Sequence, residues 1–414
     1  MKTKKIVSII AVSLLTLTAY GQKFDIDLTT KQNVYNDSIG YGYDIVKTSP
    51  KENTGLFYYS VKVPDGNYKV TVTLGSNRRA AETVVRAESR RLLLEEIATK
   101  KGEFKTFTFI VNKRTPLIGN GKSVKIKERE KDCLHWDNRL TLEFNGKAPA
   151  VKNIKIEPDS KAITIFLCGN STVTDQPNEP YASWGQMIPR WFNDGICISN
   201  HAESGLTAGS FIGQNRLDKV LAMMKPGDYV FCEFGHNDEK EKKVKNYGPY
   251  GHFTENLKKF ITSVRSKGGN ILFCTPTTRR RFDKDNKTII NTHGQFPDAI
   301  RKLGKDENVP VIDLNVMTTT FLETLGKEDS KKAMVFYPAG TYRDRELADN
   351  THWNPYGAYE ISKMVIMGLK KVNSPLTKYL RKDWKDYDPA VPDPIDKWKW
   401  YNSAFVNGEK PDGN

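Results

Sequence analysis

"ITIFLCGNST", residues 163–172, is a run without charge that ends abruptly on Gly169, Asn170 and Ser171. Six residues of this kind suit a strand covered on both faces, the usual state of a strand in a parallel sheet. Similar runs recur at 196–199, 229–234, 271–274 and 309–314. Between and after them lie segments of helical period at 183–192, 211–224 and 252–266. A last one at 355–372 has a proline in its first turn, where proline is tolerated. Strands alternating with helices predict an α/β fold with a doubly wound parallel sheet.

The chain ahead of this region has a different pattern. Tyr68, Val70, Val72 and Leu74 alternate with Lys69, Thr71 and Thr73, so one face is buried and the other wet. Pro64-Asp65-Gly66-Asn67 supplies the turn before them. Residues 104–111, 139–144 and 151–158 repeat the alternation, which predicts an antiparallel β-sandwich. The stretch 87–102, "AESRRLLLEEIATKKG", reads either as a strand with a charged edge or as a short helix. With 414 residues, about two domains are expected. The divisions fall at 22–158 for the sandwich, 159–380 for the α/β unit and 381–414 for a tail rich in Trp, Asp and Pro that wraps the surface.

Residues 1–21 begin with Lys2, Lys4 and Lys5, continue as an apolar stretch from Ile6 to Leu17, and carry small residues at Ala19 and Gly21. That is the pattern of a secretory signal, too short to span a bilayer comfortably. The mature protein is therefore expected to be exported, periplasmic or extracellular, with no stable membrane insertion. Net charge is +15, and removal of the three leader lysines leaves +12, which points to an acidic partner. No nucleic-acid motif accompanies the charge. Five cysteines cannot all pair; Cys168, Cys232 and Cys274 lie inside apolar runs, where cysteine behaves as a small buried hydrophobe.

In doubly wound sheets, ligands bind beyond the carboxyl ends of the strands. The unusual residues of this chain cluster there: Ser171 after the first strand, Gly205 after the second, and Asn237 after the third. Much later comes "DNTHW", with Asp349 three residues before His352, close enough to reach back within a single turn. A serine hydroxyl needs a base, and imidazole titrates near neutrality. The imidazole in turn needs an acceptor on its other nitrogen, which Asp349 can provide. A tetrahedral oxyanion needs preorganised donors, for which the N–H groups of Ser171 and Gly205 and the side-chain amide of Asn237 are candidates. Taken alone, Asp349-Asn350-Thr351 could equally cap the helix that follows.

Serine, glycine, asparagine and histidine in four separate blocks resemble the SGNH (GDSL-type) hydrolases. The "GHND" of Gly235–Asp238 is similar to the third block of the rhamnogalacturonan acetylesterase-like carbohydrate esterases, and the likeness extends over residues 162–372. The resemblance implies a flavodoxin-like three-layer catalytic domain at 159–380, with a sandwich related to galactose-binding domains ahead of it. It implies Ser171, Asp349 and His352 as the triad, and Ser171, Gly205 and Asn237 as the oxyanion hole. The implied reaction is O-deacetylation of an acetylated plant polysaccharide or oligosaccharide, without metal or cofactor; the pair His236 and Asp238 lacks a third ligand at a metal spacing. Two departures stand out: Asn170 replaces the family's aspartate, and Leu206-Thr207 follow Gly205 where the branch often has arginine.

A pectic rhamnogalacturonan, with a carboxylate in each disaccharide, suits a basic enzyme. Arg279, Arg280 and Arg281 follow the fourth strand and are expected on the rim of the site, where a guanidinium can bind a carboxylate in two-point fashion. His236 and Trp353 are further candidates for substrate contact. Acetylated xylan or another plant glycan is an alternative substrate for the same triad. A glycan-binding protein without turnover is an alternative of another class, favoured only by Asn170 and Leu206.

Overall fold

The computed structural model describes residues 22–45 and 55–412. The leader expected at 1–21 lies outside the described residues. The amino-terminal strands are β1 (Phe24–Asp27), β2 (Tyr41–Asp44), β3 (Phe57–Lys62), β4 (Gly66–Leu74), β5 (Ala81–Ala87), β6 (Arg91–Thr99) and β7 (Lys105–Lys113). A small hairpin, β8 (Leu117–Gly119) and β9 (Lys122–Ser123), precedes β10 (Arg139–Ala148) and β11 (Val151–Asp159). Two antiparallel sheets result, in the orders β1-β11-β4-β7 and β2-β3-β10-β5-β6. Their inner faces meet in one core containing Val70, Val72, Leu74, Val85, Leu140, Leu142 and Phe144. The stretch 87–102 is not a helix: it turns at Glu88 and Arg90, both with positive φ, and continues as β6.

The second half opens with β12 (Ile163–Gly169), then α1 (Trp184–Met187), β13 (Ile196–Asn200), α2 (Ala208–Gly213), α3 (Arg216–Met223) and β14 (Tyr229–Glu233). It continues with α4 (Thr254–Ser266), β15 (Asn270–Cys274), α5 (Phe296–Asp306), β16 (Val311–Ile312) and α6 (Leu314–Asp329). It closes with β17 (Met334–Tyr337), β18 (Leu347–Trp353) and α7 (Pro355–Lys371). The parallel sheet has the order β13-β12-β14-β15-β16, the flavodoxin-like doubly wound arrangement. Ile165 and Leu167 pack against α1, α6 and α7, whereas Phe166 and Cys168 pack against α2 to α5. Coverage of both faces explains why the run 163–168 does not alternate.

Three elements differ from the sequence reading. The helix expected over 211–224 is two, parted at Asn215, whose φ of 61° is left-handed. The segment 183–192 keeps one α-turn before a tighter 3-10 turn that contains Pro189. The hairpin of β17 and β18 was not legible at all.

The tail binds the two halves together. Arg86 stacks its guanidinium 3.7 Å from the Trp400 ring and donates to the Tyr401 carbonyl at 2.7 Å. Glu179 accepts from the Trp400 indole at 2.9 Å and the Ser403 N–H at 3.1 Å. All five cysteines are free and buried. Among the described residues, no helix is long and apolar enough to cross a membrane.

Candidate active site

Strand β12 pairs with β13 on one side and β14 on the other, so the strand order reverses at its carboxyl end and opens a crevice there. The chain leaves β12 in a tight turn: the Asn170 carbonyl accepts from Val173 N at 3.1 Å and Thr174 N at 3.0 Å, and its side-chain oxygen accepts from Thr172 N at 3.1 Å. Gly169 is required by space, since a Cβ there would lie 2.6 Å from Val173 Cγ2 and 2.9 Å from the Glu233 carbonyl. The Gln176 amide donates to the Ser171 carbonyl at 2.7 Å and fixes the turn from outside.

Ser171 Oγ lies 3.0 Å from His352 Nε2, and His352 Nδ1 lies 2.8 Å from Asp349 Oδ2. Asp349 Oδ1 accepts from the N–H groups of Thr351 (2.8 Å) and His352 (3.1 Å). Burial alone would raise the Asp349 carboxyl, but the His352 bond and charge, with these two N–H groups, hold it below its ordinary value. An anionic Asp349 keeps the imidazole proton on Nδ1 and leaves Nε2 to accept from the serine hydroxyl.

Two residues three apart on a regular strand face opposite ways. Here Met334 pairs with Trp353 and the adjacent Val335 pairs with Asp349, so residues 350–352 bulge out of β18. The bulge folds the imidazole back over the carboxylate. Bulges of this kind re-aim a side chain beside a site.

Among the described residues, neither the Ser171 N–H nor the Gly205 N–H donates to a protein acceptor. Gly205 has φ +79°, a conformation that side chains with a Cβ rarely adopt. The Asn237 amide donates to the Leu206 carbonyl at 3.1 Å and has a second hydrogen besides. Asp238 holds Ala208 N and Gly235 N, each at 2.9 Å, and so ties the second and third blocks together. Burial pushes its carboxyl up to about 7. Beneath the serine turn lies Glu233, likewise pushed up to about 7 by burial. It is 2.5 Å from both Thr172 Oγ1 and the Trp184 indole nitrogen.

The candidates for substrate contact differ in their surroundings. Arg279 is engaged by Glu239 at 2.6 Å and by the His236 carbonyl at 3.2 Å. Arg280 bonds Ser330 and Asn350, both at 2.9 Å, and the Lys327 carbonyl, so its guanidinium serves the fold. Arg281 is exposed. Trp353 is fully buried, with its indole 3.3 Å from Thr277 Oγ1, and offers no surface to a ligand. His236 is also fully buried, its ring edge-on to His293 at 4.6 Å.

Sequence reasoning missed the contribution of the first half of the chain. Arg90 donates to the carbonyls of Gln176 (3.0 Å) and Tyr181 (2.8 Å), and Arg91 pairs with Asp175 at 2.6 Å. Lys127 donates to the Ser204 carbonyl at 2.6 Å and Arg129 to the same oxygen at 3.0 Å, one residue before Gly205. Only the density of charge in "KIKERE" could have drawn attention to that segment.

The sequence model of the GDSL-like lipase/acylhydrolase family matches residues 167–358. Rhamnogalacturonan acetylesterase RhgT of Bacillus subtilis is 38% identical over 224 residues, covering 53% of this chain and 95% of that protein. The probable rhamnogalacturonan acetylesterase YesY of the same organism is 30% identical, covering 53% and 98%. The crystal structure of B. subtilis YxiM aligns over 86% of this chain and 99% of that one, with 22% identity and a TM-score of 0.47. On the match that spans nearly all of RhgT, the chain belongs to the GDSL-like (SGNH) lipase/acylhydrolase family and is a carboxylic ester hydrolase.

Proposed function

We propose that this protein is an exported carbohydrate acetylesterase that removes O-acetyl groups from pectic rhamnogalacturonan through an acyl-enzyme on Ser171. The observation that carries the reading is the unbroken line from Ser171 Oγ through His352 to Asp349, at 3.0 and 2.8 Å. The substrate rests on the names of the two relatives and on the basic charge of the chain. In the first step His352 Nε2 takes the hydroxyl proton as Ser171 Oγ bonds to the acetyl carbon. The carbonyl oxygen becomes an oxyanion facing the N–H groups of Ser171 and Gly205 and the Asn237 amide. Collapse breaks the bond to the sugar oxygen, which leaves as an alcohol with the proton from His352. Water then attacks the acetyl-serine, gives its proton to the same nitrogen, and acetate departs as Ser171 recovers its hydrogen.

Residues 159–380 act as the catalytic domain and 22–158 as its galactose-binding-like companion, with the lysine-led segment 1–21 removed on export. Acetate release from acetylated rhamnogalacturonan, with acetylated xylan alongside, tests the reading on wild type and Ser171→Ala. Serine-dependent release from the pectic polymer is expected. Release from xylan alone replaces the substrate and keeps the chemistry; no serine-dependent release from either rejects the plant-glycan acetylesterase reading.

A further inference from the structure

The segment between β9 and β10 carries two cations to the Gly205 turn. If Gly205 had a Cβ, Lys127 Nζ would be 3.2 Å from it and Asp412 Cβ 3.0 Å. Lys127 and Arg129 both donate to the Ser204 carbonyl, at 2.6 and 3.0 Å. Arg129 Nε also bonds Glu203 at 3.0 Å. Neither cation is sealed in: the side chains keep 25% and 37% of their surface exposed. What lies on them is a carboxylate. Asp412 Oδ2 is 2.6 Å from Arg129 Nη1 and 3.4 Å from Lys127 Nζ, and that side chain is itself 59% exposed.

Two further facts connect this pair to the reaction centre. A cavity of about 150 Å³ runs between Arg129, Ser204, Gln176 and Tyr181, with Glu409 and Pro411 as part of its wall. Tyr181 in turn packs edge-on against His352, ring centres 5.6 Å apart. Glu203 and Glu130 stand against three cations, Lys127, Arg129 and Arg216, so with Asp412 lifted away this cluster keeps one positive charge more than it has carboxylates.

We propose that Lys127 and Arg129 form a carboxylate subsite beside Gly205 that takes the uronate of a sugar next to the acetylated one, and that Asp412 is the chain's own occupant, displaced when an acidic substrate binds. The proposal rests on the acetylesterase reading for its meaning, although it concerns binding and can be measured without turnover. A tethered carboxylate competes at high effective concentration, so its removal must strengthen the binding of an outside anion. A neutral glycan gains nothing from the exchange. The first half of the chain would thereby help to select the substrate of the second.

The test is calorimetric titration of the full chain with an unacetylated rhamnogalacturonan oligosaccharide and with the same oligosaccharide after its carboxyl groups are reduced to alcohols. The acidic form is expected to bind about 10-fold tighter, the usual worth of one charge-assisted hydrogen bond. Lys127→Met and Arg129→Gln should each remove most of that preference. Asp412→Asn, at an exposed position where folding is not at stake, should tighten the acidic form several-fold and leave the reduced form unchanged. Equal affinity for the two forms, or an Asp412→Asn chain that binds the acidic form no better, overturns the subsite. Loss of binding in Arg129→Gln alone does not rescue it, since that side chain also supports Ser204. Acetate release lost in Ser171→Ala is a separate reading, so failure of the esterase and failure of the subsite are told apart.

Discussion

Thr172 has one hydroxyl hydrogen and two acceptors in reach, Asn170 Oδ1 at 2.9 Å and Glu233 Oε1 at 2.5 Å. Every bond is satisfied if Glu233 is protonated: its O–H donates to Thr172, whose own hydrogen then goes to Asn170. The raised Glu233 carboxyl agrees with that arrangement. The folded value, about 7, lies above the unfolded 4.5, so the stability contributed by the neutral acid is full below pH 4.5 and is lost as pH rises through 7. Glu233→Gln, which cannot ionise and offers the same donor and acceptor, should match wild type in melting temperature near pH 5. It should exceed wild type near pH 8, because it lacks a penalty of about 1.4 kcal/mol per pH unit in that window. A wild-type advantage at pH 8 would reject a neutral Glu233. Asp349→Asn tests the other end of the line. With the wrong tautomer on His352, kcat for a small acetyl ester should fall by about 10³ to 10⁴ with little change in KM.

At the scale of elements, the run 163–172 was legible because both faces of β12 are covered, and the alternation of β4 because one of its faces is less buried. The bulge in β18 was not, since it depends on pairing with β17 across a distant loop and leaves no period in the sequence. The break at Asn215 was missed because apolar spacing continues through it, whereas the backbone there is left-handed. Asn215→Val should cost about 1–2 kcal/mol, read as a lower urea midpoint, because a β-branched residue resists that conformation. Asn215→Gly should cost less than the valine, since it keeps the backbone conformation and loses only the exposed bond from the Asn215 amide to the Ser123 carbonyl at 2.9 Å. The blocks around Ser171, Gly205 and Asn237 stand out because each lies where a strand or its loop ends, whereas His352 stands out by its spacing from Asp349. The partners of Arg279 and Arg280 could not be read, because sequence gives a position and not its neighbours: Glu239 and the Lys327 carbonyl come from other elements.

The whole molecule depends on charges shared between its halves. Arg91 and Asp175 are both buried, and Asp175 also accepts from Asn200 at 2.8 Å, so the pair anchors the loop that follows Ser171. Arg91→Met should destabilise the chain by about 3–5 kcal/mol, because it strands a buried carboxylate. Arg91→Met with Asp175→Asn should recover most of that loss in thermal denaturation. A single variant as stable as wild type would show that the halves are joined by other contacts. This dependence could not be read from sequence, where Arg91 lies 84 residues from Asp175 in a stretch that reads as a charged strand edge or a short helix.

The five buried thiols give the molecule an internal clock. Since none is paired with another, reductant leaves the covalent structure untouched, and the fold owes nothing to an oxidising compartment. Burial also pushes the Cys197 and Cys232 thiols far from ionisation, so a modifying reagent must wait for the chain to open. Cys133 lies in the segment between β9 and β10, Cys197 on the edge strand β13 where the sheet meets Ile110 of the first half, and Cys168, Cys232 and Cys274 on the inner strands of the parallel sheet. The order in which they are alkylated therefore records which part of the molecule lets solvent in first.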